Sequence, residues 1–230
     1  MRMIRVLRFW IDRLINWMKI PTALLMILAV PAVLQSFERY WVIRHQLNFH
    51  NLIYFAVGLA FMSAVRVFLA VRNGCAETME HELTHTVFAL LTLHPVHGVS
   101  VEDEGGGSMS FSGGGNWLIA LSPYCFPLLA VGMGIFGAIF YKATGTSPDW
   151  IYIGMGCAVG YNLFSLVWQV HPEQTDFKVA GYWFTICFLP GANLLMYGML
   201  LAYVERGWAG IEFFWRLVVY YGRHTIIGIL

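Results

Sequence analysis

The sequence predicts an all-α polytopic membrane protein with about six transmembrane helices and one short β-hairpin-like loop. The first observation behind this class is composition, because 58% of the 230 residues are hydrophobic and only 12% are charged, whereas soluble domains carry about 25% charged residues. The second is that the apolar residues form runs close to the roughly 20 residues that a helix needs to cross a bilayer. The net charge of +1 carries no information about nucleic acid, and no run of Lys and Arg suggests it, so no nucleic-acid partner is expected.

Residues 1–20 predict a basic amphipathic helix that lies on an anionic membrane surface. Arginines recur through this stretch and are interleaved with isoleucine, leucine, phenylalanine and tryptophan, a pattern typical of interfacial helices. A cleavable signal peptide would instead have a compact cationic start that leads into an uninterrupted apolar segment.

Six membrane spans are expected after this helix. We place them at 21–37, 51–71, 75–93, 117–141, 150–170 and 179–203. The first two form an accessory pair within 21–74, and the first of these is short and contains Pro21 and Pro31. The remaining segment, 204–230, combines aromatic residues with arginines and is expected to be interfacial.

The distribution of basic residues predicts an orientation for these six spans. Ten of the fourteen Lys and Arg residues fall on the side of the N-terminus: Arg2, Arg5, Arg8, Arg13, Lys19, Arg72, Lys142, Arg206, Arg216 and Arg223. The positive-inside rule therefore predicts that both termini are cytoplasmic and that the connections 94–116 and 171–178 lie on the far side.

The third span contains charged residues that a bilayer disfavours. A charged side chain at mid-bilayer costs roughly 2.5–3.5 kcal/mol, so the several within 77–85 are expected to face the protein interior. Within this stretch His81-Glu82-Leu83-Thr84-His85 follows the pattern His-Glu-x-x-His. Residues four apart lie on one face of a helix, so His81 and His85 can bind one zinc ion while Glu82 stands beside them.

A second polar stretch supplies candidates for a further metal ligand. Pro172 is expected to end one helix, and Thr175 or Asp176 to cap the next. Because catalytic zinc keeps three protein ligands and one open position, a third ligand is required. Asp176 is favoured because its side chain is short and lies at the expected start of a helix. His171 and Glu173 are the alternatives.

The connection 94–116 predicts a β-hairpin that follows the metal-binding helix. Apolar residues alternate with polar or small residues over 96–102 and again over 108–112, with glycines at both turns. A flexible glycine-rich loop is the alternative interpretation. As a hairpin, the segment would present an exposed strand edge that can pair with an extended peptide.

These motifs resemble those of the site-2 protease type of intramembrane zinc metalloprotease. That family combines His-Glu-x-x-His in one span, a β-rich connection after it, and an Asn-x-x-Pro followed by Asp-Gly two spans later. Here 81–85 matches the first motif in full, and 169–176 is similar to the second, with Gln169 in place of Asn and Phe177 in place of Gly. The resemblance covers about residues 75–185 and implies that 75–203 is a metalloprotease core of about four transmembrane helices.

The resemblance also implies an activity, a cofactor and a site. The activity is hydrolysis of a peptide bond in or near the transmembrane segment of a membrane protein substrate within the lipid bilayer. One zinc ion, held by His81, His85 and Asp176, would lower the pKa of its bound water to about 7, and Glu82 would accept the proton as the catalytic base. Side chains that are candidates to stabilise the oxyanion are Asn116, Asn162 and Gln169.

Two other functions remain open at this point. Eight histidines also fit a membrane di-iron oxygenase or desaturase-like enzyme, although no two are adjacent in the sequence. The other alternative is a catalytically silent relative that binds membrane segments.

Two further polar residues are given supporting roles: Glu77 as a partner of the His81 imidazole, and Arg66 either snorkelling or paired with Glu77 or Glu80.

Overall fold

A computed structural model describes residues 2–43, 48–68, 74–101 and 106–229. The helices within these ranges are α1 (Arg2–Trp17), α2 (Lys19–Ile43), α3 (Phe49–Phe68), α4 (Cys75–Leu91), α5 (Trp117–Leu121), α6 (Leu128–Thr144), α7 (Asp149–Gln169), α8 (Thr175–Ala180), α9 (Tyr182–Arg206) and α10 (Trp208–Ile229). Two strands, β1 (Val96–Val101) and β2 (Gly107–Phe111), complete the fold. The prediction of a mostly helical protein with one hairpin is confirmed.

Four helices are long and apolar enough to cross a membrane: α2, α3, α7 and α9. A fifth crossing is formed only if α5 and the following helical turn are joined to α6, although the two parts are bent by 82°. The predicted six spans are therefore not confirmed. The predicted third span corresponds to α4, whose 17 residues rise only about 25 Å, less than the roughly 30 Å of a bilayer core.

Close contact through glycines joins α3 to α7. Gly58 of α3 lies against the backbone carbonyl of Ile153, and Gly156 of α7 lies against that of Phe55, so that a Cβ atom at either glycine would collide with backbone. Such close approach through glycines is usual between membrane helices.

The directions of the helices define two ends of the bundle. Gly191, in the first half of α9, packs on the backbone of Met26, in the first half of α2. At the other end, the Tyr40 hydroxyl donates a hydrogen bond of 2.7 Å to Glu205. The helices α2 and α9 therefore run parallel. We call the end at which they begin the site end.

The helices α3 and α7 run in the opposite sense, towards the site end. His50 at the start of α3 contacts Asp149 at the start of α7, with 2.8 Å between the imidazole Nε2 and a carboxylate oxygen. Asn51 donates a hydrogen bond to the carbonyl of Val204 close to the end of α9. Consequently α7 finishes with Gln169 at the site end, and the next helix, α8, also lies there.

The N-terminal helix also lies at the site end, against the connection 94–116. Arg8 donates a hydrogen bond to the carbonyl of Ser112, and the Asp12 carboxylate lies 3.0 Å from His94 Nε2. The prediction that this connection and the N-terminus are on opposite sides is therefore wrong. The physical reason is that the chain folds back along α4 once this helix has ended. Gly107 of β2 therefore packs against Thr78 and Glu82 of α4.

The β-hairpin is confirmed in preference to a flexible loop. Strands β1 and β2 are antiparallel and pair Val99 with Met109 and Ser100 with Ser108, with an irregularity between Val96 and Gly98. The predicted turn at 103–106 falls mostly on residues 102–105, which lie outside the described residues.

The last helix, α10, packs lengthwise against α2. Its Phe214 ring lies 5.2 Å from the ring of Phe37, and Gly222 lies near Ala32, so α10 runs antiparallel to α2. The interfacial placement of 204–230 stays a prediction.

Candidate metal centre

Three side chains from α4 and α8 converge at the site end. The ligating atoms of His81, His85 and Asp176 all lie within 4.8 Å of one another. The two imidazole Nε2 atoms are 3.1 Å apart, and each lies 3.5 Å from Asp176 Oδ2. The alternatives for the third position, His171 and Glu173, are exposed and do not belong to this group.

Helix α4 turns its polar face inward, as the sequence predicted. Glu82 and His85 are buried, whereas Met79, Leu83 and Leu90 on the other face are exposed. The polar face of α4 therefore lies against α5 and α8, and its apolar face is exposed.

Hydrogen bonds to the second ring nitrogens orient both imidazoles. His81 Nδ1 lies 3.0 Å from Gln169 Oε1, and His85 Nδ1 lies 2.8 Å from the carbonyl oxygen of Ile119. Both oxygens only accept hydrogen bonds, so each imidazole carries its proton on Nδ1 and directs an Nε2 lone pair into the group.

This donor set could hold a metal ion. Two unprotonated Nε2 atoms and a carboxylate oxygen at these separations present lone pairs to one another, and only a proton or a metal ion relieves their repulsion. Two imidazoles and one carboxylate form the ligand set of several catalytic zinc sites, in which a fourth position stays open. The residues therefore fit a zinc ion, although the identity of the metal stays a prediction.

Tyr124 supports Asp176 through its hydroxyl. Its hydroxyl donates a hydrogen bond of 2.9 Å to Asp176 Oδ2, and its ring makes edge contact with His81 at 5.2 Å between centroids.

The predicted cap of α8 is shifted by one residue. Gln174 occupies the position before the first helical residue, with no hydrogen bond from its side chain to the helix, and Thr175 is already helical. Asp176 therefore lies in the first turn of α8 rather than at its cap, so its carboxylate is available to the metal group.

Glu82 lies in the wall of a cavity that also contains the metal group. The cavity has a volume of about 370 Å³. Besides His81, Glu82, His85 and Asp176, its lining includes Gly107, Ser108, Met109, Phe111, Gly114, Gly115, Asn116, Ile119, Ala120, Gln174, Thr175 and Val179. Strand β2 therefore forms one wall, and no described residue of β1 reaches it.

The backbone of β2 alternates between its partner strand and a free edge. Ser112 donates its backbone N–H to the carbonyl of Pro95, in the direction of β1. Backbone groups of successive strand residues point in opposite directions, so those of Ser110 also face β1. Those of Met109 and Phe111 face away from β1, and both of these residues line the cavity.

The remaining carboxylates of α4 have structural roles. Glu77 forms a buried ion pair with Arg66 of α3, which confirms one of the two roles predicted for Arg66. The role predicted for Glu77 beside His81 is wrong, because Gln169 occupies that position. Glu80 accepts a hydrogen bond from the backbone N–H of Leu129 in the first turn of α6, where a helix has unsatisfied donors.

The three candidate oxyanion donors have other partners. Asn162 accepts a hydrogen bond of 2.6 Å from Tyr197 and does not line the cavity. Gln169 holds His81. Asn116 lines the cavity, but its amide oxygen caps α5 and its amide nitrogen donates to Asp12.

Comparison with models of protein families, with curated proteins and with solved structures gives no match to this chain. Function is therefore inferred from the geometry of the described residues.

Proposed function

We propose that the chain is an intramembrane zinc metalloendopeptidase that cleaves a peptide bond in or near the transmembrane segment of a membrane protein. The observation that carries this proposal is the convergence of His81, His85 and Asp176 in one cavity with Glu82. A two-histidine, one-carboxylate set with an adjacent glutamate is one of the arrangements that hydrolytic zinc sites use.

Each residue has a distinct role in this proposal. Bound zinc would supply an acidified water and polarise the scissile carbonyl. Glu82 would accept the proton of the attacking water and return it to the leaving amine. Gln169, the Ile119 carbonyl and Tyr124 would keep the imidazoles and the carboxylate oriented towards the metal.

Strand β2 would bind the substrate as an additional strand. A transmembrane helix must unwind locally before its peptide bond can reach a metal, because helical hydrogen bonds occupy its backbone. The free edge of β2 lines the same cavity as the metal group and offers backbone partners to the unwound segment.

The positions of the other histidines count against a di-iron enzyme. His50 lies at the opposite end of the bundle beside Asp149, His94 contacts Asp12, and His97 contacts Ser112. Within the described ranges, His81, His85 and Asp176 form the one group of three or more such residues that can hold a metal, whereas two irons need a larger ligand set.

The metal content of the purified protein and the products in cells test this proposal together. We expect one zinc per chain in both the wild type and Glu82→Gln, because the amide keeps the shape of the side chain. New N-termini within transmembrane segments should appear in membranes that contain the wild type and not in those that contain Glu82→Gln. Glu212→Gln, which changes an exposed carboxylate on α10, is the matched control and should cleave like the wild type.

Two results would contradict the proposal. Two irons per chain would indicate an oxygenase. Zinc without any product that depends on Glu82 would indicate a silent binding protein.

A further inference from the structure

A second cavity lies between α1 and the glycines that follow β2. It has a volume of about 600 Å³ and is lined by Arg5, Arg8, Phe9, Asp12, Arg13, Asn16, Gly113, Gly114 and Gly115. The metal cavity borders the same loop, since Gly114 and Gly115 line both cavities.

The charge of this second cavity, which we call the arginine cleft, is positive and largely uncompensated. Three of its residues are arginines and one is an aspartate. Both oxygens of Asp12 are engaged, because Oδ2 contacts His94 and Oδ1 accepts a hydrogen bond from Asn116. Among the described residues, no acidic side chain forms an ion pair with Arg5 or Arg13.

The glycines that line the cleft also carry backbone N–H donors. In the part of the chain that the structure describes, the N–H groups of Gly113, Gly114 and Gly115 make no hydrogen bond. A Cβ atom at Gly113 would lie 3.1 Å from Arg8 Nε, so glycine allows the arginine to approach the backbone. Guanidinium groups together with free N–H groups form a surface suited to the oxygens of a phosphate group.

An apolar surface adjoins the cleft on the same helix. Met3, Val6, Leu7 and Trp10 form a shallow apolar depression, and all four side chains are more than half exposed. The two surfaces meet at Arg13, which lines the cleft and whose guanidinium lies over the Trp10 ring, 5.8 Å from the ring centroid. A ligand with a phosphate group and acyl chains therefore matches both surfaces, whereas a free anion matches only one.

We propose that the arginine cleft binds the phosphate-bearing headgroup of one anionic phospholipid, whose acyl chains follow the apolar face of α1. A helix that only rests on a charged membrane surface needs no cleft, so this is a discrete site. It does not depend on the proposed protease activity. Because Arg8 holds Ser112 and Asn16 holds Gly115, the bound lipid would lie directly behind one wall of the metal cavity.

Calorimetric titration of the full-length protein in a neutral detergent tests the site. The probes are short-chain phosphatidylglycerol, short-chain phosphatidylcholine and inorganic phosphate. Phosphatidylglycerol should bind more tightly than the other two. The double variant Arg5→Gln, Arg13→Gln should weaken that binding by about tenfold or more, because each lost charged hydrogen bond contributes more than a neutral one.

The control is Arg216→Gln, Arg223→Gln, which removes the same charge from exposed positions on α10 and should bind phosphatidylglycerol like the wild type. Equal loss in both double variants would overturn the proposal, because it would indicate attraction by overall charge. Equal binding of inorganic phosphate or of phosphatidylcholine would also overturn it.

A second measurement uses the unaltered protein. Hydrogen–deuterium exchange at 113–115 should slow when phosphatidylglycerol is added and should not change with phosphatidylcholine. Unchanged exchange with both lipids would contradict the placement of the headgroup at the glycines.

Discussion

At the scale of single residues, the role of Asp176 can be tested by removing its charge while keeping its shape. We expect Asp176→Asn to lower zinc affinity and abolish cleavage, because the neutral amide is a poor zinc ligand beside two neutral imidazoles. Glu173→Gln is the control, since Glu173 is exposed and outside the metal group, and it should change neither property. Zinc affinity measured by competition with a chelator checks both variants, and normal affinity in Asp176→Asn would exclude this residue as the third ligand.

A prediction for Tyr124 distinguishes an effect on zinc binding from an effect on protein stability alone. Tyr124→Phe removes the hydroxyl that holds Asp176 Oδ2, and loss of such a partner typically lowers metal affinity about 10-fold to 100-fold. Tyr197→Phe removes a hydrogen bond to Asn162 that is distant from the metal group. Both variants should lower the unfolding temperature, but only Tyr124→Phe should weaken zinc binding in the same competition assay. Equal zinc affinity in the two variants would contradict the role of Tyr124.

The sequence identified the residues that converge, but not what orients them. His81 and His85 were recognisable because helical spacing fixes their relation, and Asp176 followed from a limited choice of acidic and imidazole side chains. The partners Ile119 and Tyr124 are distant in sequence from the residues they hold. A backbone carbonyl carries no signal in its residue type, so the Ile119 contact was not predictable. Gln169 was noticed by position, but was assigned to the oxyanion instead of to His81.

At the scale of elements, the orientation of β2 predicts which proline substitutions block a substrate. Met109→Pro removes an N–H at the free edge that lines the metal cavity, and should abolish cleavage while zinc is retained. Val99→Pro removes an N–H from the outer edge of β1, since Val99 pairs with Met109, and should leave cleavage close to normal. Prolines are tolerated at free strand edges, so the hairpin should persist in both variants.

The readouts are product formation and zinc content. Normal cleavage by Met109→Pro would show that substrate does not pair with this edge. Alternation in the sequence made both strands candidates for pairing, and the structure narrows the choice to β2 because described residues of β1 do not line the cavity.

Element types were predictable where periodicity was strong, and element lengths were less so. Alternating residues predicted both strands, and the amphipathic pattern predicted α1. The predicted span 117–141 instead contains the sharp bend between α5 and α6. Pro123 and Pro127 stand at this bend, and each removes a backbone donor that a continuous helix needs. The long apolar run masked their effect.

At the scale of the whole molecule, the sides predicted for the connections from the count of basic residues were wrong because of one assumption. Every apolar run was taken to carry the chain across the bilayer, so an error at α4 reversed the side of each later connection. The contacts of α1 with Ser112 and His94 place the connection 94–116 at the site end instead. The basic residues of α1 then lie at the same end as the metal group, and the positive-inside rule favours a cytoplasmic site end.

Labelling from one side of the membrane decides between the two arrangements. We expect an epitope tag placed before the N-terminus to be accessible from the cytoplasmic side. The cysteine of the Ser110→Cys variant should be accessible from the same side. A cysteine at Thr146→Cys should be reached from the opposite side, because Thr146 lies between the end of α6 and the start of α7, near the contact of His50 with Asp149. The four natural cysteines would first be replaced, and an impermeant maleimide would be applied to sealed vesicles of each orientation. If all six predicted spans were complete, the tag and Thr146→Cys would be accessible from one side of the membrane and Ser110→Cys from the other. That grouping would show that the hairpin does not share the side of α1, and it would also remove the basis for a metal site that opens towards the N-terminal helix.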